Sequence, residues 1–266
     1  MYQFFIESSG VQKEHIVIMG SDVNHIKNVL RMRTGEKIAA VNEAENRKYL
    51  CEIRELKEDC IFCRILSMEE KNTELPAKIF LFQGLPKGDR MELILQKAVE
   101  LGCFEIVPVA CKRCVVKLEG KKRESKVERW QAIAEAAAKQ SGRGIIPHVH
   151  EVMTFSEAVS YTNDMDVRLI PYERAAGMAE TKKHLETVRK GQRIAVFIGP
   201  EGGFEAAEIE EAGKAGIIPV TLGRRILRTE TAAITVLGWL MYLLEVEAAG
   251  AERTYQIFEN CPEDRR

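Results

Sequence analysis

The chain has 266 residues, of which 45% are hydrophobic and 30% are charged, and its formal net charge at pH 7 is −1. This composition is typical of a globular protein that buries a sizeable core. The nearly neutral charge excludes a protein that attracts nucleic acid by its overall charge, so any RNA-binding surface must be a local basic patch.

No signal for export or membrane insertion is evident in the sequence. Residues 1–18 lack a basic region followed by an apolar core. The longest strongly apolar stretch, 232–244, is shorter than the ~20 residues that span a bilayer. We therefore expect a soluble, cytoplasmic protein that has no membrane partner.

Seven cysteines in a chain of this kind predict free thiols rather than disulfides. Two pairs have metal-ligand spacing, Cys60 with Cys63 and Cys111 with Cys114. The gap between the pairs far exceeds the usual ~15–20 residues of zinc sites. Alternation along 60–66 also predicts that Cys60 and Cys63 point to opposite faces of a strand. We therefore predict no metal site.

Residues 1–72 are predicted to form a small β-rich unit. Ser21 or Asp22 can cap a short helix, so the expected shape is a small β-barrel with one inserted helix. His25, Arg31 and Arg33 lie on this helix and its exit, where they could contact RNA or form an ordinary solvated helix end. The strands, predicted from β-branched and aromatic content, cover 2–7, 14–19, 37–41, 49–56 and 60–66.

The polar segment 68–76 is predicted to be a linker to a second, α/β unit that covers 73–250. Strands and helices alternate in it, which predicts a mostly parallel sheet with helices on both faces. The strands are predicted at 78–83, 104–109, 149–152, 167–170, 194–198 and 217–222, and the helices at 89–101, 124–141 and from Thr229 onward. Residues 251–266 are predicted to be a loose polar tail.

The stretch 197–240 organises this second unit. It predicts a strand, a glycine loop, a helix, a second strand, a polar loop and a second helix. In a parallel α/β sheet both loops lie at the carboxyl ends of strands, where such folds bind ligands. The two loops can therefore face one ligand.

The first of these loops, 199–203, limits the kind of ligand. Its glycines permit tight turns and close backbone approach. They fit neither a Walker phosphate loop nor the dinucleotide fingerprint. Glu201 in the middle of the loop would repel a phosphate, so a neutral or cationic ligand is favoured. A plain strand-to-helix turn with a capping glutamate is the alternative.

The segments IGPEGGF (198–204) and LGRRILRTETA (222–232) resemble the paired cofactor loops of the SPOUT class of RNA methyltransferases. More narrowly, they resemble the family that makes 3-methyluridine in bacterial 16S ribosomal RNA. Further likeness covers nearly the whole chain up to about residue 250, including an H-x-x-x-V-L-R element at 25–31 of a PUA-like RNA-binding barrel. Two departures are Gln3, where the family usually has arginine, and Cys114, where it often has serine.

The resemblance implies a trefoil-knotted backbone that holds S-adenosylmethionine in a bent form. It implies a homodimer, which the almost uniformly apolar segment 232–244 also favours because one protomer can bury only one stripe of such a helix. The implied cofactor residues are Ile170, Pro171, Tyr172, Glu173, Ile198, Gly199, Pro200, Glu201, Gly202, Gly203, Leu222, Gly223, Ile226, Leu227, Arg228, Thr229, Thr231 and Ala232.

Methylation at uridine N3 requires removal of a proton and stabilisation of the charge that develops on the carbonyl oxygens. Arg228 is the candidate for charge stabilisation, although it could instead brace the loop or pair with Glu201. Glu230 is a candidate base, although a carboxylate there could equally stabilise the helix start. Thr229 and Thr231 could bind cofactor or cap the helix.

The expected partner is 16S ribosomal RNA or the small ribosomal subunit. Basic density is highest at 112–129, where phosphate contacts are plausible on electrostatic grounds, although charge runs are often only solvated. A non-catalytic RNA-binding protein on the same scaffold and a nucleotide-using enzyme are the rival functions. The predicted RNA contacts are His25, Arg31, Arg33, Arg113, Lys117, Lys121, Lys122, Arg123 and Arg143.

Overall fold

A parallel β-sheet forms the centre of the larger part of the molecule. Its strand order is β12-β10-β11-β6-β7-β8, with the short β9 also paired to β7. Every pairing in this sheet is parallel, as the alternation of strands and helices predicts. The strands are β6 (Lys78–Gly84), β7 (Glu105–Ala110), β8 (His148–Val149), β9 (Met153–Thr154), β10 (Val167–Pro171), β11 (Arg193–Ile198) and β12 (Ile218–Val220).

Helices pack on this sheet and enclose its core. Phe82 and Phe197 on adjacent strands stack with their ring centroids 4.5 Å apart and are almost completely buried. Such buried aromatic pairs contribute strongly to a core. The helices of this part are α2 (Arg90–Glu100), α3 (Gly120–Ser141), α4 (Phe155–Tyr161), α5 (Met178–Leu185), α6 (Ala206–Lys214) and α7 (Thr229–Glu259), whereas α1 (Ser21–Asn24) lies in the N-terminal part.

The N-terminal part contains a second sheet with five strands. Their order is β1-β3-β4-β5-β2, and only the β1–β3 pair is parallel. A one-turn π-helix, His25–Val29, follows α1 and points Ile26 into the core, while Val29 is 64% exposed. The strands are β1 (Gln3–Phe5), β2 (His15–Met19), β3 (Lys37–Asn42), β4 (Arg47–Leu56) and β5 (Cys60–Glu70).

The structure, a computed structural model, describes residues 1–70 and 73–259, with only the helical backbone given for 248–259. The chain divides into two compact units. The first comprises Met1–Glu74 and Glu135–Ile146, and the second comprises Leu75–Ala134 and Pro147–Arg266. The last third of α3, from Glu135 onward, thus belongs to the first unit, which the linear division into 1–72 and 73–250 did not anticipate. The α/β class itself is confirmed, and the trefoil knot stays a prediction.

Helix α7 is buried along one stripe in its own unit, where it packs against α2 and β11. The stripe has helical spacing and consists of Ala233, Val236, Leu237, Leu240 and Leu244. Its segment Thr229–Glu247 is long and apolar enough, by length and composition, to cross a membrane. The argument that the apolar segment 232–244 is too short to span a bilayer therefore does not hold. A buried stripe is typical of a core helix, and the absence of a membrane span stays a prediction.

The structure also differs from the predicted elements. Helices α4 and α5 were not predicted, and β5 continues to Glu70, into the predicted linker. Helix α7 continues to Glu259, so the backbone of the predicted polar tail is helical up to that residue. The rest of that predicted tail, 260–266, lies outside the described residues.

Candidate active site

A cavity of about 520 Å³ opens at the carboxyl ends of β10, β11 and β12. This volume lies within the range of small-molecule sites, ~300–1,000 Å³. Both loops of the 197–240 stretch line it, as does the loop after β10 with Pro171, Tyr172 and Glu173. The structure thus brings together the two loops that the sequence pattern predicts to face one ligand and the third segment that the family resemblance implies.

The glycine loop that follows β11 is packed tightly against the end of β6. A Cβ atom on Gly84 would lie 2.7 Å from Pro200 Cδ and 2.8 Å from Pro200 N. A Cβ on Gly199 would lie 3.2 Å from the Cα of Gly203, which itself has φ of +66°. Glycine at 203 permits this left-handed turn, and glycine at 84 permits the contact between the end of β6 and the glycine loop.

A buried hydrogen-bond chain ties this loop to the start of α7. Thr229 Oγ1 donates to the Gly199 carbonyl at 2.7 Å and accepts a bond from Gln83 Nε2 at 2.9 Å. Gln83 Nε2 also donates to the Gly84 carbonyl at 2.9 Å. The Thr229 hydroxyl therefore joins the ends of β6, β11 and α7, a structural role that the sequence left open between capping and ligand binding.

Arg90, at the start of α2, places its positive charge near two acidic residues of the cavity. Its guanidinium donates to Glu201 Oε1, and its Nε lies 3.8 Å from Glu230 Oε2. Burial alone would raise the pKa of Glu201, but hydrogen bonds from the Lys87 amide and Arg90 lower it below its usual value. Glu201 is therefore a carboxylate, and its partner is Arg90 rather than Arg228.

Glu230 has fewer hydrogen-bond partners than Glu201. Its side chain is 15% exposed, and its Oε2 is buried without a hydrogen bond in the described part of the chain. A buried acceptor of this kind is costly unless a ligand or water supplies a donor. Since Glu230 lines the cavity, this oxygen can receive a donor from a bound molecule.

The turn after β7 supports the glycine loop from the other side. Arg113 Nη1 donates to the Gly202 carbonyl at 3.0 Å, and a Cβ on Gly202 would lie 3.1 Å from Arg113 Cβ. The close approach at Gly202 is therefore to Arg113. The Lys112 amide donates to Glu208 Oε1 at 2.9 Å, which ties this turn to the first turn of α6.

Three arginines form a basic rim on the second loop. Arg224, Arg225 and Arg228 are exposed and line the cavity, and none makes an ion pair with another described residue. Ile226, between them, is 91% exposed. Unpaired guanidinium groups beside an apolar side chain can receive an anionic, flat ligand.

Nearly all of the predicted cofactor residues line the cavity, with two exceptions. Ile170 is completely buried in the core, and Thr231 points to solvent on the first turn of α7 without lining the cavity. Their assignment as cofactor residues stays a prediction. Lining residues that were not predicted as cofactor contacts are Arg90, Arg113, Phe204, Thr221, Arg224, Arg225 and Glu230.

Most of the predicted RNA contacts are exposed basic side chains, and they occur in both units. In the first unit His25, Arg31 and Arg33 are exposed, and Arg31 has a positive φ of 53°. In the second unit Arg123 lies 3.7 Å from Glu151, and both side chains are largely exposed. The other predicted RNA contacts of that unit, which are also exposed, are Arg113, Lys117, Lys121 and Lys122.

Arg143 corrects the RNA prediction. Its side chain is 5% exposed, and its guanidinium holds the Glu74 carboxylate, which also accepts a bond from the Gly144 amide at 2.8 Å. Buried ion pairs of this kind are structural, because an uncompensated buried charge is costly. Gln3, in place of the expected family arginine, is also buried, and its Nε2 donates to the Arg143 carbonyl at 2.8 Å.

Comparison with known proteins identifies the class of this site. Residues 73–241 match the RNA methyltransferase domain, and residues 18–66 match the RNA methyltransferase PUA domain. The chain belongs to the RNA methyltransferase family. The cavity lies within residues of the matched methyltransferase domain, so the two loops of this RNA methyltransferase form its candidate active site.

Individual relatives of this methyltransferase cover almost all of its length. It is 36% identical to ribosomal RNA small subunit methyltransferase E of Bacillus subtilis, over 92% of this chain and 98% of the relative. A structure of the Neisseria gonorrhoeae enzyme of that name, bound to S-adenosyl methionine, is 31% identical, with a TM-score of 0.77 over 91% of this chain and 98% of that chain. A Legionella pneumophila methyltransferase with bound cofactor SAM is 32% identical, with a TM-score of 0.80 over 91% and 97%.

Proposed function

We propose that this protein transfers a methyl group from S-adenosylmethionine to N3 of a uridine in 16S ribosomal RNA, in the cytoplasm. One observation carries the proposal: Arg228 and Glu230 line the same cavity as the glycine loop of a methyltransferase domain. The first is a free cation and the second a buried carboxylate oxygen without a hydrogen bond among the described residues. Uridine N3 methylation needs groups of both kinds.

The residues of the cavity fit S-adenosylmethionine. Apolar side chains of Leu222 and Leu227 offer a surface for an adenine ring, and Glu201 and Glu230 offer negative charge to a sulfonium and an ammonium group. No lysine and serine follow the glycines as in a phosphate loop. When bound, the cofactor supplies an electrophilic methyl group, and the chain's own residues must position and activate the uracil.

Arg228 is proposed to stabilise the charge on the uracil. A uracil that loses its N3 proton carries negative charge on its carbonyl oxygens, and a guanidinium offers two parallel donors to such an oxygen. Arg228 is exposed and makes no ion pair with another described residue. It can therefore bind a carbonyl oxygen of the uracil without breaking an ion pair. Preorganised donors of this kind act on the charge that develops in the transition state.

Glu230 is proposed as the group that receives the N3 proton. Its buried Oε2 lacks a hydrogen bond within the described residues, and Arg90 Nε at 3.8 Å is too distant for a normal one. Arg90 keeps a positive charge near both Glu230 and Glu201.

The proposal is tested by mass spectrometry of ribosomal-RNA nucleosides from cells that lack the gene. Loss of 3-methyluridine, and its return with the wild-type gene but not with an Arg228→Ala gene, would support it. Unchanged 3-methyluridine would exclude the uridine-N3 assignment. Loss of the modification that returns equally well with the Arg228→Ala gene would favour a non-catalytic role in ribosome assembly.

The basic residues at the start of α3 are proposed to contact RNA phosphates. Substitution of Lys121, Lys122 and Arg123 together by glutamate should weaken RNA binding. The slope of the logarithm of the binding constant against the logarithm of the salt concentration should become shallower by roughly one unit per lost phosphate contact. The measurement is the RNA dissociation constant at several salt concentrations. Reversal of Lys182, Lys183 and Lys214, which are paired with neighbouring glutamates on their own helices, removes equal charge and should leave the slope unchanged. Equal slopes for both triple variants would count against this surface.

A homodimer is proposed to cover the outer face of α7. Tyr242 is 64% exposed and Val246 is 52% exposed, opposite the stripe that packs in the unit. Exposed apolar faces of this kind favour association. We expect a dimeric mass by light scattering at micromolar concentration, and a monomeric mass for Tyr242→Glu. Tyr2→Glu, at a tyrosine of the first unit that is 54% exposed, is the control, and a monomeric wild type would refute the proposal.

A further inference from the structure

Two cysteines lie beside the cavity and take no part in the function proposed above. Cys111 and Cys114 bracket the turn after β7, with Lys112 and Arg113 between them. Cys111 is 6% exposed, whereas Cys114 is partly exposed, so a small oxidant from solvent can reach the second sulfur. The described residues contain no group of three metal ligands, which leaves the chemistry of the thiols themselves.

The turn brings the Cα atoms of the two cysteines within the range of a disulfide. The Cys114 amide donates to the Cys111 carbonyl at 3.0 Å, which closes a β-turn. The first and fourth Cα atoms of such a turn lie within about 7 Å, as do the Cα atoms of disulfides. The turn therefore holds the two cysteines within the Cα separation of a disulfide before any oxidation.

The two thiols are unequal in reactivity. The hydrogen bond from Cys111 lowers the pKa of Cys114, assisted by backbone hydrogen bonds from Cys111 and Leu85 and opposed by burial. The same hydrogen bond, together with burial, raises the pKa of Cys111. Because the thiolate is the nucleophile, Cys114 attacks an oxidant first and Cys111 then resolves the product. As a donor, the Cys114 thiol makes a weak contact with the Val109 carbonyl, at 3.7 Å.

A change in this turn reaches the glycine loop directly. Arg113, between the cysteines, donates to the Gly202 carbonyl at 3.0 Å, and its Cβ leaves no free space beside Gly202. The neighbouring Lys112 amide is held by Glu208 of α6. A disulfide must draw the two sulfurs to about 2.05 Å, so the turn tightens and the Arg113 contact has to shift.

We propose that Cys111 and Cys114 form a reversible disulfide site, and that the oxidised turn releases Arg113 from Gly202 and weakens ligand binding in the cavity. Intracellular disulfides are often of this transient, sensing kind. The oxidant is a low-molecular-weight disulfide of the glutathione class. The Cys114 thiolate breaks its S–S bond and forms a mixed disulfide, releasing one thiol. Cys111 then loses its proton, attacks the Cys114 sulfur and releases the second thiol.

The covalent part is tested on the purified full-length protein with oxidised glutathione. Peptide mass spectrometry should find Cys111 and Cys114 joined and lighter by two hydrogen atoms, and dithiothreitol should reverse this. Cys111→Ser should instead retain glutathione on Cys114, because the resolving thiol is missing. Cys114→Ser should show neither product, and Cys60→Ser, at a partly exposed cysteine of the first unit, should behave as wild type. Absence of the joined peptide in wild type would overturn the proposal.

The effect on the cavity rests on the proposed function and is measured by calorimetry with S-adenosylmethionine. The oxidised protein should bind about five- to tenfold more weakly than the reduced protein, as expected for one lost hydrogen bond. Reduction should restore the affinity, and Cys114→Ser should be insensitive to the oxidant. Equal affinity of reduced and disulfide-bonded protein would overturn the coupling. Reduced protein that does not bind at all would instead overturn the proposed cofactor, while the peptide masses still decide the disulfide.

Discussion

Arg228→Ala should lose most methylation while its fold and much of its affinity for S-adenosylmethionine remain. The side chain is exposed at the cavity and makes no ion pair or side-chain hydrogen bond with another described residue, so its removal breaks no such bond in the described part of the chain. Removal of one preorganised donor to a developing oxyanion typically costs on the order of 10²–10³ in turnover. Single-turnover rates with saturating cofactor and RNA are the measurement.

Two further variants separate catalysis from binding in this experiment. Arg228→Lys should recover little activity, because a point charge does not reproduce the planar pair of donors. Arg224→Ala is the matched control, an exposed arginine of the same loop, and should retain far more of the single-turnover rate. If Arg228→Ala reacts at nearly the wild-type rate once saturated, the residue is a binding contact and the catalytic assignment is wrong.

The local features of the site could be predicted from the sequence because they follow from periodicity and glycine spacing. The strands that flank the two loops, and the polarity of the loops, are properties of short segments. The exclusion of a phosphate ligand likewise follows from one residue of a short segment, Glu201. Helix α4 could also have been found, since Thr154 and Glu157 form a capping box at its start.

Features that depend on strand order could not be predicted in this way. Because β6 lies next to β11, the end of β6 brings Gln83 and the following Arg90 to the glycine loop, more than a hundred residues later in the chain. No local pattern marks Arg90 as the partner of Glu201. Arg143 was misassigned for the same reason, because its charge is matched by the distant Glu74.

Amphipathic helices with few buried residues also escape this kind of prediction. Helix α5 has the polar sequence MAETKKHL, in which only Thr181 is buried. That one residue nevertheless supports the cavity, since its hydroxyl donates to the Thr221 carbonyl at 3.1 Å and accepts from the Thr221 amide at 3.0 Å. A single buried threonine gives no periodicity, although its two hydrogen bonds hold the end of β12.

Gly84→Ala should displace the glycine loop and weaken S-adenosylmethionine binding at least about tenfold. The added Cβ would lie 2.7 Å from Pro200 Cδ and 2.8 Å from Pro200 N. These distances are shorter than van der Waals contact, so one of the two backbone segments must move. The φ of Gly84 is not positive, so the cost is steric rather than conformational. Overpacking of this kind typically costs about 1–3 kcal/mol, and here the part that can move is the cofactor loop.

Calorimetry with S-adenosylmethionine and thermal unfolding together measure this effect, with Gly213→Ala as the matched control. A Cβ on Gly213 meets nothing within 4 Å, and the residue lies inside α6. Alanine there should raise the stability by roughly 0.5–1 kcal/mol, because glycine is unfavourable in a helix. Affinity should stay unchanged in that control. If Gly84→Ala instead binds the cofactor as wild type does, the contact between β6 and Pro200 does not position the loop, and the glycine at 84 serves only the packing of the sheet edge.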